Sequence, residues 1–272
     1  MAEKKLCFIG AGNMTRSITT GLVSNGYPAT LIHATNPSAP KLEALQQTLK
    51  ITTSHDNLAA AKEADVIILS VKPHFMQDVC EQLASLDLSD KLIITIAAGI
   101  PAKRYRDYFG QEIKLIRTMP NTPTQIGVGM TGLYAGDEIS SEQKSICEQL
   151  MLSGGEVVWV EHESELDQVI ALAGSSPAYF FLFMEAMIDN AKASGMDELK
   201  ARQLVQQAAL GAAQMVKQNP ELSTAQLRAN VTSKGGTTAQ AVAALEAGNI
   251  RGIVKQAMDD CVARAQEMAK QY

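Results

Sequence analysis

The chain has 272 residues, 46% of them hydrophobic and 19% charged, which allows one large or two modest domains with a real core and excludes a disordered protein. Its formal net charge of -5 argues against a nucleic-acid partner, because proteins that neutralise phosphate backbones carry a basic excess. The four cysteines (Cys7, Cys80, Cys147, Cys261) and four histidines (His33, His55, His74, His162) are scattered, so neither a disulfide framework nor a metal site is expected.

Leu6-Cys7-Phe8-Ile9 reads as a buried strand that meets Gly10-Ala11-Gly12-Asn13-Met14-Thr15 and then a helix through Leu22-Val23. This apolar run is too short for a signal core or a membrane span, and so is Leu92 to Ile100; a cytoplasmic location without a membrane partner is expected. A Gly-x-Gly turn between strand and helix is the setting of a dinucleotide loop. The first glycine permits the tight turn, the second lets a pyrophosphate approach the backbone, and the helix-end N–H groups meet its charge. Thr15 stands where a third glycine or alanine normally lets the helix pack closely, so a slightly wider crossing is expected.

Further along, Thr30 to His33 reads as a second strand and Lys41 to Leu49 as a helix with Pro40 in its first turn. Ile51 to Thr53 is a short strand. Asp65 to Leu69, Leu92 to Ile96 and Lys114 to Arg117 are apolar runs of the kind found in parallel strands covered on both faces, and Glu156 to Val160 closes the series. Strands separated by helical stretches imply a parallel sheet with helices on both sides. Residues 34 to 38 read Ala-Thr-Asn-Pro-Ser, without the Asp or Glu that commonly grips the ribose hydroxyls about 20 residues past the glycines. A carboxylate there would repel a 2′-phosphate, whereas amide and hydroxyl groups can donate to it; NADPH is therefore expected over NADH. Ser70-Val71-Lys72-Pro73, Ile96-Ala97-Ala98-Gly99 and Met119-Pro120-Asn121-Thr122-Pro123 end strands on the side where such sheets bind ligands. For Lys72, cofactor contact and simple solvation are both open.

From Glu163 onward no strand is expected. Leu166 to Lys192, Leu199 to Lys217, Thr238 to Glu246 and Ile250 to Met268 read as helices between the breakers Gly195, Asn219-Pro220, Gly235-Gly236 and Gly248. The chain thus divides into residues 1–162, a dinucleotide-binding α/β domain, and residues 163–272, an all-helical domain. The helical half is rich in Ala and Met, which suits either an ordinary core or, as favoured here, packing against a second copy in a homodimer. Gly235-Gly236 before a helix near Thr237 offers N–H groups for an anion. On the residues alone, a plain turn capped by Thr237 or Thr238 reads equally well.

These segments together resemble pyrroline-5-carboxylate reductase. The likeness runs through Phe8 to Met14, Val71-Lys72-Pro73, Ala97-Ala98-Gly99, Met119 to Pro123, Gly174-Ser175-Ser176-Pro177-Ala178-Tyr179 and Ser233-Lys234-Gly235-Gly236-Thr237-Thr238, nearly the whole chain in order. Two departures are Lys234, where the family commonly has proline, and Ala173, where it commonly has serine; Lys234 puts the rigidity of that loop in question. The resemblance implies an N-terminal Rossmann-type doubly wound parallel sheet followed by an all-helical dimerisation domain, with substrate near the dimer interface and dimers that assemble into decamers. It implies NADPH or NADH as hydride donor and (S)-1-pyrroline-5-carboxylate as substrate. Carried onto matching positions, the cofactor contacts would be Ile9, Gly10, Ala11, Gly12, Asn13, Met14, Asn36, Asn57, Ser70, Val71, Lys72, Pro73, Ile96, Ala97, Ala98 and Asn230. The substrate contacts would be Ser233, Gly235, Gly236, Thr237 and Thr238, with no metal.

That chemistry asks little of the protein. An imine nitrogen accepts a proton far more readily than a ketone oxygen, so no strong general acid is needed, and orientation supplies most of the rate. The Thr238 hydroxyl is the candidate to orient the ring nitrogen or relay a proton from water. Three other readings stand beside this one: reduction of a related cyclic imine, a β-hydroxyacid dehydrogenase-like enzyme with Lys192 as the nearest lysine, and a non-catalytic dinucleotide-binding regulator. The stretch Gly174 to Tyr179 does not fit the dehydrogenase pattern, and an intact Gly235 to Thr238 argues against the regulator.

Overall fold

The computed structural model describes residues 4–271; Met1 to Glu3 and Tyr272 lie outside the described residues. The first part alternates β1 (Leu6–Ile9), α1 (Asn13–Ser24), β2 (Ile32–Thr35), α2 (Ala39–Leu49), β3 (Thr52–Ser54), α3 (Asn57–Glu63), β4 (Val66–Leu69), α4 (Met76–Leu83), β5 (Leu92–Thr95), α5 (Ala102–Phe109), β6 (Lys114–Met119), β7 (Gly129–Ala135), α6 (Ser141–Leu152) and β8 (Gly155–Trp159). The strands form one eight-stranded sheet in the order β3-β2-β1-β4-β5-β6-β7-β8. The chain builds outward from β1 in one direction and then from β4 in the other. This reversal leaves a crevice at the carboxyl ends of β1 and β4, the switch point where doubly wound sheets take ligands.

Strand side chains alternate between faces, and both faces are covered. On one side Leu6, Phe8, Ile68 and Ile94 pack with Ile18 and Leu22 of α1, Leu42 and Leu45 of α2 and Leu150 of α6. On the other, Cys7, Ile9, Ile67, Leu69 and Ile93 pack with Ala60 of α3, Met76 and Cys80 of α4 and Tyr105 of α5. The continuous apolar strands follow from this: neither face of β1, β4 or β5 meets water.

The structure departs from the sequence reading in four places, one of them the short helix Thr224–Asn230, which was not expected. Ala29–Leu31 form a 3-10 turn and β2 begins at Ile32, so the strand ends at Thr35, directly before Asn36. An unexpected strand, β7, runs antiparallel to β6, so the sheet is not wholly parallel. The helix expected over Leu166 to Lys192 is broken by a π turn.

Beyond β8 the described chain is helical: α7 (Glu165–Val169), the π turn Ile170–Gly174, α8 (Ser176–Ala193), α9 (Glu198–Gln218), α10 (Thr224–Asn230), α11 (Thr237–Ala247) and α12 (Ile250–Gln271). Asp197 and Ser223 cap α9 and α10, accepting from the Lys200 and Gln226 backbone N–H groups. By its contacts the chain forms two compact units, one running through Pro177 and including Asp260 onward, the other Ala178–Asp259. The helical run Glu165–Ala193 contains an 18-residue window with a mean hydropathy of 1.4 and could span a bilayer by length and composition. An apolar helix buried in a protein assembly has the same composition.

Candidate functional site

The loop after β1 is held from both sides. The Gly10 N–H donates to the Thr35 carbonyl at 2.9 Å, and the Ser70 N–H donates to the Ile9 carbonyl at 2.9 Å. Gly10 adopts φ +107°, and a Cβ there would stand 2.8 Å from the Ser70 carbonyl oxygen. Gly12 is different: its φ of -79° suits any residue, and no heavy atom lies within 4 Å of where its Cβ would be. It therefore keeps open space in front of α1. No side chain caps this helix, so its first-turn N–H groups lack a side-chain acceptor there. Thr15, at the third position of the motif, is fully buried and its hydroxyl donates to the Gly10 carbonyl at 2.7 Å, tying the helix to its own loop.

Four more predicted segments lie around this loop. Asn36, directly after β2, accepts from the Ala11 N–H at 3.3 Å and donates to the Ser38 carbonyl at 3.2 Å. Asn57, opening α3, accepts from the Thr35 hydroxyl at 2.6 Å and donates to Gln82 at 3.0 Å. No carboxylate follows β2; Asp56 is engaged in capping α3, accepting from the Ala59 N–H at 3.0 Å. At the end of β4, the Ser70 hydroxyl is buried with no protein partner among the described residues, while Lys72 is exposed before the turn Pro73–Phe75. At the end of β5, the small buried Ala97 donates its N–H to the Thr95 hydroxyl at 3.3 Å. Because β1, β4 and β5 are neighbours, Ile9 to Met14, Ser70 to Pro73 and Ile96 to Ala98 share one carboxyl edge. An open glycine and an uncapped helix fit a dinucleotide diphosphate, which supplies acceptors for the helix N–H groups, and the orphaned Ser70 hydroxyl at the same edge leaves a donor for the bound dinucleotide.

The second compact unit carries the other predicted residues in one stretch. Asn230 closes α10, its side chain accepting from Gln226 at 2.9 Å. The N-cap of α11 is Gly236, without a side-chain cap, so Thr237 and Thr238 lie in the first turn and neither caps it. That removes the plain capped-turn reading. Gly235 takes φ +77° with open space beside it. A Cβ on Gly236 would stand 2.6 Å from the Ser233 hydroxyl oxygen, so Ser233 lies directly against the glycine backbone. The result is an exposed, uncapped helix start flanked by a serine and a threonine hydroxyl, suited to a carboxylate.

The cysteines play no visible part in either set. Cys7, Cys80 and Cys147 are buried and Cys261 half-buried. Burial pushes the Cys7 and Cys80 thiols up to about 12, which keeps them protonated and poor nucleophiles. Among the described residues no group of three His, Cys, Asp or Glu side chains is arranged to hold a metal ion. The sequence reading passed over the side chain of Asn121. It is buried, accepts from the Met130 N–H at 2.9 Å and donates to the Ala173 carbonyl at 3.0 Å. The prolines at 120 and 123 marked its loop as stiff, but no local pattern shows a partner 52 residues away.

Residues 163–268 match the family model described as pyrroline-5-carboxylate reductase dimerisation, and residues 5–99 match NADP oxidoreductase, coenzyme F420-dependent. The pyrroline-5-carboxylate reductase of Vibrio alginolyticus is 53% identical over 272 residues, 100% of each chain. The solved structure of a pyrroline-5-carboxylate reductase from Coxiella burnetii aligns with a TM-score of 0.91 at 40% identity, covering 98% of this chain and 99% of that one. Plasmodium falciparum pyrroline carboxylate reductase with NADP bound aligns with a TM-score of 0.89 at 27% identity, covering 99% of each.

Proposed function

The chain belongs to the pyrroline-5-carboxylate reductase family, and from that premise we propose that it reduces (S)-1-pyrroline-5-carboxylate to L-proline with NADPH, NADH serving as a second donor. The observation that carries this reading is likeness along the whole chain, 53% over both complete sequences, which takes in the Gly10 loop and the Ser233 to Thr238 segment alike. The reaction is the closing step of proline biosynthesis. In this reading the enzyme works in the cytoplasm as a homodimer, with dimers assembled into a decamer, and without nucleic-acid or membrane partners.

The dinucleotide domain is assigned residues 1–162 and the helical dimerisation and substrate domain residues 163–272. A reduced nicotinamide, when bound, supplies the hydride that adds to the imine carbon, while the ring nitrogen takes a proton. Ile9, Gly10, Ala11, Gly12, Asn13 and Met14 hold the diphosphate; Asn36 and Asn57 border the ribose. Ser70, Val71, Lys72, Pro73, Ile96, Ala97 and Ala98 line the path towards the nicotinamide, with Asn230 a further cofactor contact. The absence of a carboxylate after β2 supports NADPH over NADH. Ser233, Gly235, Gly236 and Thr237 hold the substrate carboxylate through backbone N–H and hydroxyl groups. Thr238 orients the ring nitrogen or passes it a proton from water; a threonine hydroxyl is too weak an acid to do more unaided.

The test is NADPH oxidation with pyrroline-5-carboxylate, beside NADH and beside a six-membered imine, for the wild type and Thr238→Ala. Turnover with the five-membered imine, faster with NADPH, is expected. Thr238→Ala should lose about tenfold or more in kcat while calorimetry still finds NADPH bound. No turnover in the wild type would reject the reductase reading; near-normal kcat in the variant would reject only the role of Thr238.

A further inference from the structure

The π turn Ile170–Gly174 presents a hydrogen-bonding problem that the sequence creates and Asn121 answers. In a helix the carbonyl of Ala173 accepts from the N–H four residues on. Here that residue is Pro177, which has no N–H. The Asn121 side-chain amide donates to the Ala173 carbonyl instead, at 3.0 Å. Its neighbours are treated similarly: the Ser176 hydroxyl donates to the Leu172 carbonyl at 2.6 Å, and the Ser175 N–H reaches back to the Ile170 carbonyl at 2.7 Å, closing the π turn.

The other half of the Asn121 amide is also engaged. Its oxygen accepts from the Met130 N–H at 2.9 Å and so fixes the return into β7. The contact is reinforced by packing, since a Cβ on Gly174 would meet Met119 Cε at 2.9 Å and one on Gly132 would meet Val169 at 2.6 Å. Asn121 follows β6 in an extended conformation between Pro120 and Pro123, and β6 lies next to β5, whose end Ile96 to Ala98 lines the proposed cofactor path. One buried amide thus joins the loop at the carboxyl edge to the start of Gly174-Ser175-Ser176-Pro177.

We propose that Asn121 is a positioning residue for hydride transfer, standing in for the N–H that Pro177 lacks and holding the loop after β6 and the π turn as one rigid piece beside the reaction. This rests on the reductase reading above. Asn121 touches the protein backbone, not the reacting atoms, and it acts through the geometry of the segments it joins. Small displacements of such segments are costly, because the rate depends on the contact between donor and acceptor carbons.

The test uses the full-length enzyme with Asn121→Ala, Asn121→Asp, Pro177→Ala and the double variant Asn121→Ala/Pro177→Ala. Asn121→Ala should lower kcat about tenfold with the KM for NADPH unchanged. Hydrogen exchange should speed up at the Met130 amide in Asn121→Ala but not in Asn121→Asp, which keeps the acceptor. Adding Pro177→Ala to Asn121→Ala should recover most of the lost kcat, because residue 177 then supplies its own N–H to Ala173. A merely structural role would instead lower the thermal transition and the folded fraction, with kcat per folded enzyme and the KM for NADPH unchanged. Wild-type kcat in Asn121→Ala, or a double variant no better than the single one, would overturn the proposal. An inactive wild type would instead overturn the reductase reading, and the Met130 exchange would still report on the clamp.

Discussion

The sequence motif gives Gly10 the tight turn and Gly12 the close approach of a ligand, and the structure gives the two glycines correspondingly different constraints. Gly10 is demanded by the fold: its φ of +107° strains any other residue, and its Cβ site meets the Ser70 backbone. Gly12 is demanded by nothing in the protein, since its conformation is ordinary and its Cβ site is open. The proposed cofactor diphosphate would use the space it keeps. Gly10→Ala should lower stability by about 1–3 kcal/mol, seen as an earlier thermal transition. Gly12→Ala should leave that transition in place and weaken NADPH binding by about tenfold or more, equivalent to ~1.4 kcal/mol by calorimetry. A Gly12→Ala protein that binds NADPH like wild type would mean the diphosphate does not lie there.

At the scale of elements, the sequence revealed what local patterning controls. The strands β1, β4 and β5 stand out because neither face can be polar, and α11 and α12 fall close to their expected spans. The strand β7 was hidden by its own packing. Its sequence, Gly-Met-Thr-Gly-Leu-Tyr-Ala, has two glycines, which lower strand propensity. Both are required: a Cβ at Gly129 would meet Thr124 at 2.2 Å and one at Gly132 would meet Val169 at 2.6 Å. The short α10 was missed because seven residues carry too little periodicity, and the π turn because the Ala173 carbonyl finds its donor in a distant loop. A second long-range tie of this kind holds α5. Glu163 accepts from the Ala102 N–H at 2.6 Å and from the buried Arg117 guanidinium at 2.6 Å. Glu163→Gln would remove the hydrogen-bonded counter-charge of the buried Arg117, leaving Asp167 as the nearby carboxylate, and should cost about 2 kcal/mol. The paired replacement Arg117→Met/Glu163→Leu should recover part of that loss in thermal unfolding. Equal destabilisation by the single and paired changes would show that the ion pair is not what the site depends on.

At the scale of the molecule, the helical half exposes many large apolar side chains. Phe180, Phe181 and Leu182 of α8 are each at least 60% exposed, and no residue of α8 is buried. Within the second unit, Val242, Leu245, Ile250, Val254 and Met258 line a cleft of about 610 Å³, with Arg228 and Arg251 among its polar lining. A helix apolar on all sides needs cover from protein or from lipid. The match of residues 163–268 to a dimerisation family favours protein. Light scattering without detergent should then give twice the 29.2 kDa chain mass, or a whole multiple of that dimer. Placing a carboxylate in the apolar surface, as in Leu182→Asp, should shift the population towards monomer and lower turnover, because burying an unpaired charge in an interface is costly. A discrete wild-type monomer at micromolar concentration would leave this surface without its partner. Recovery of the chain only in the presence of detergent would assign the same helix to a bilayer instead.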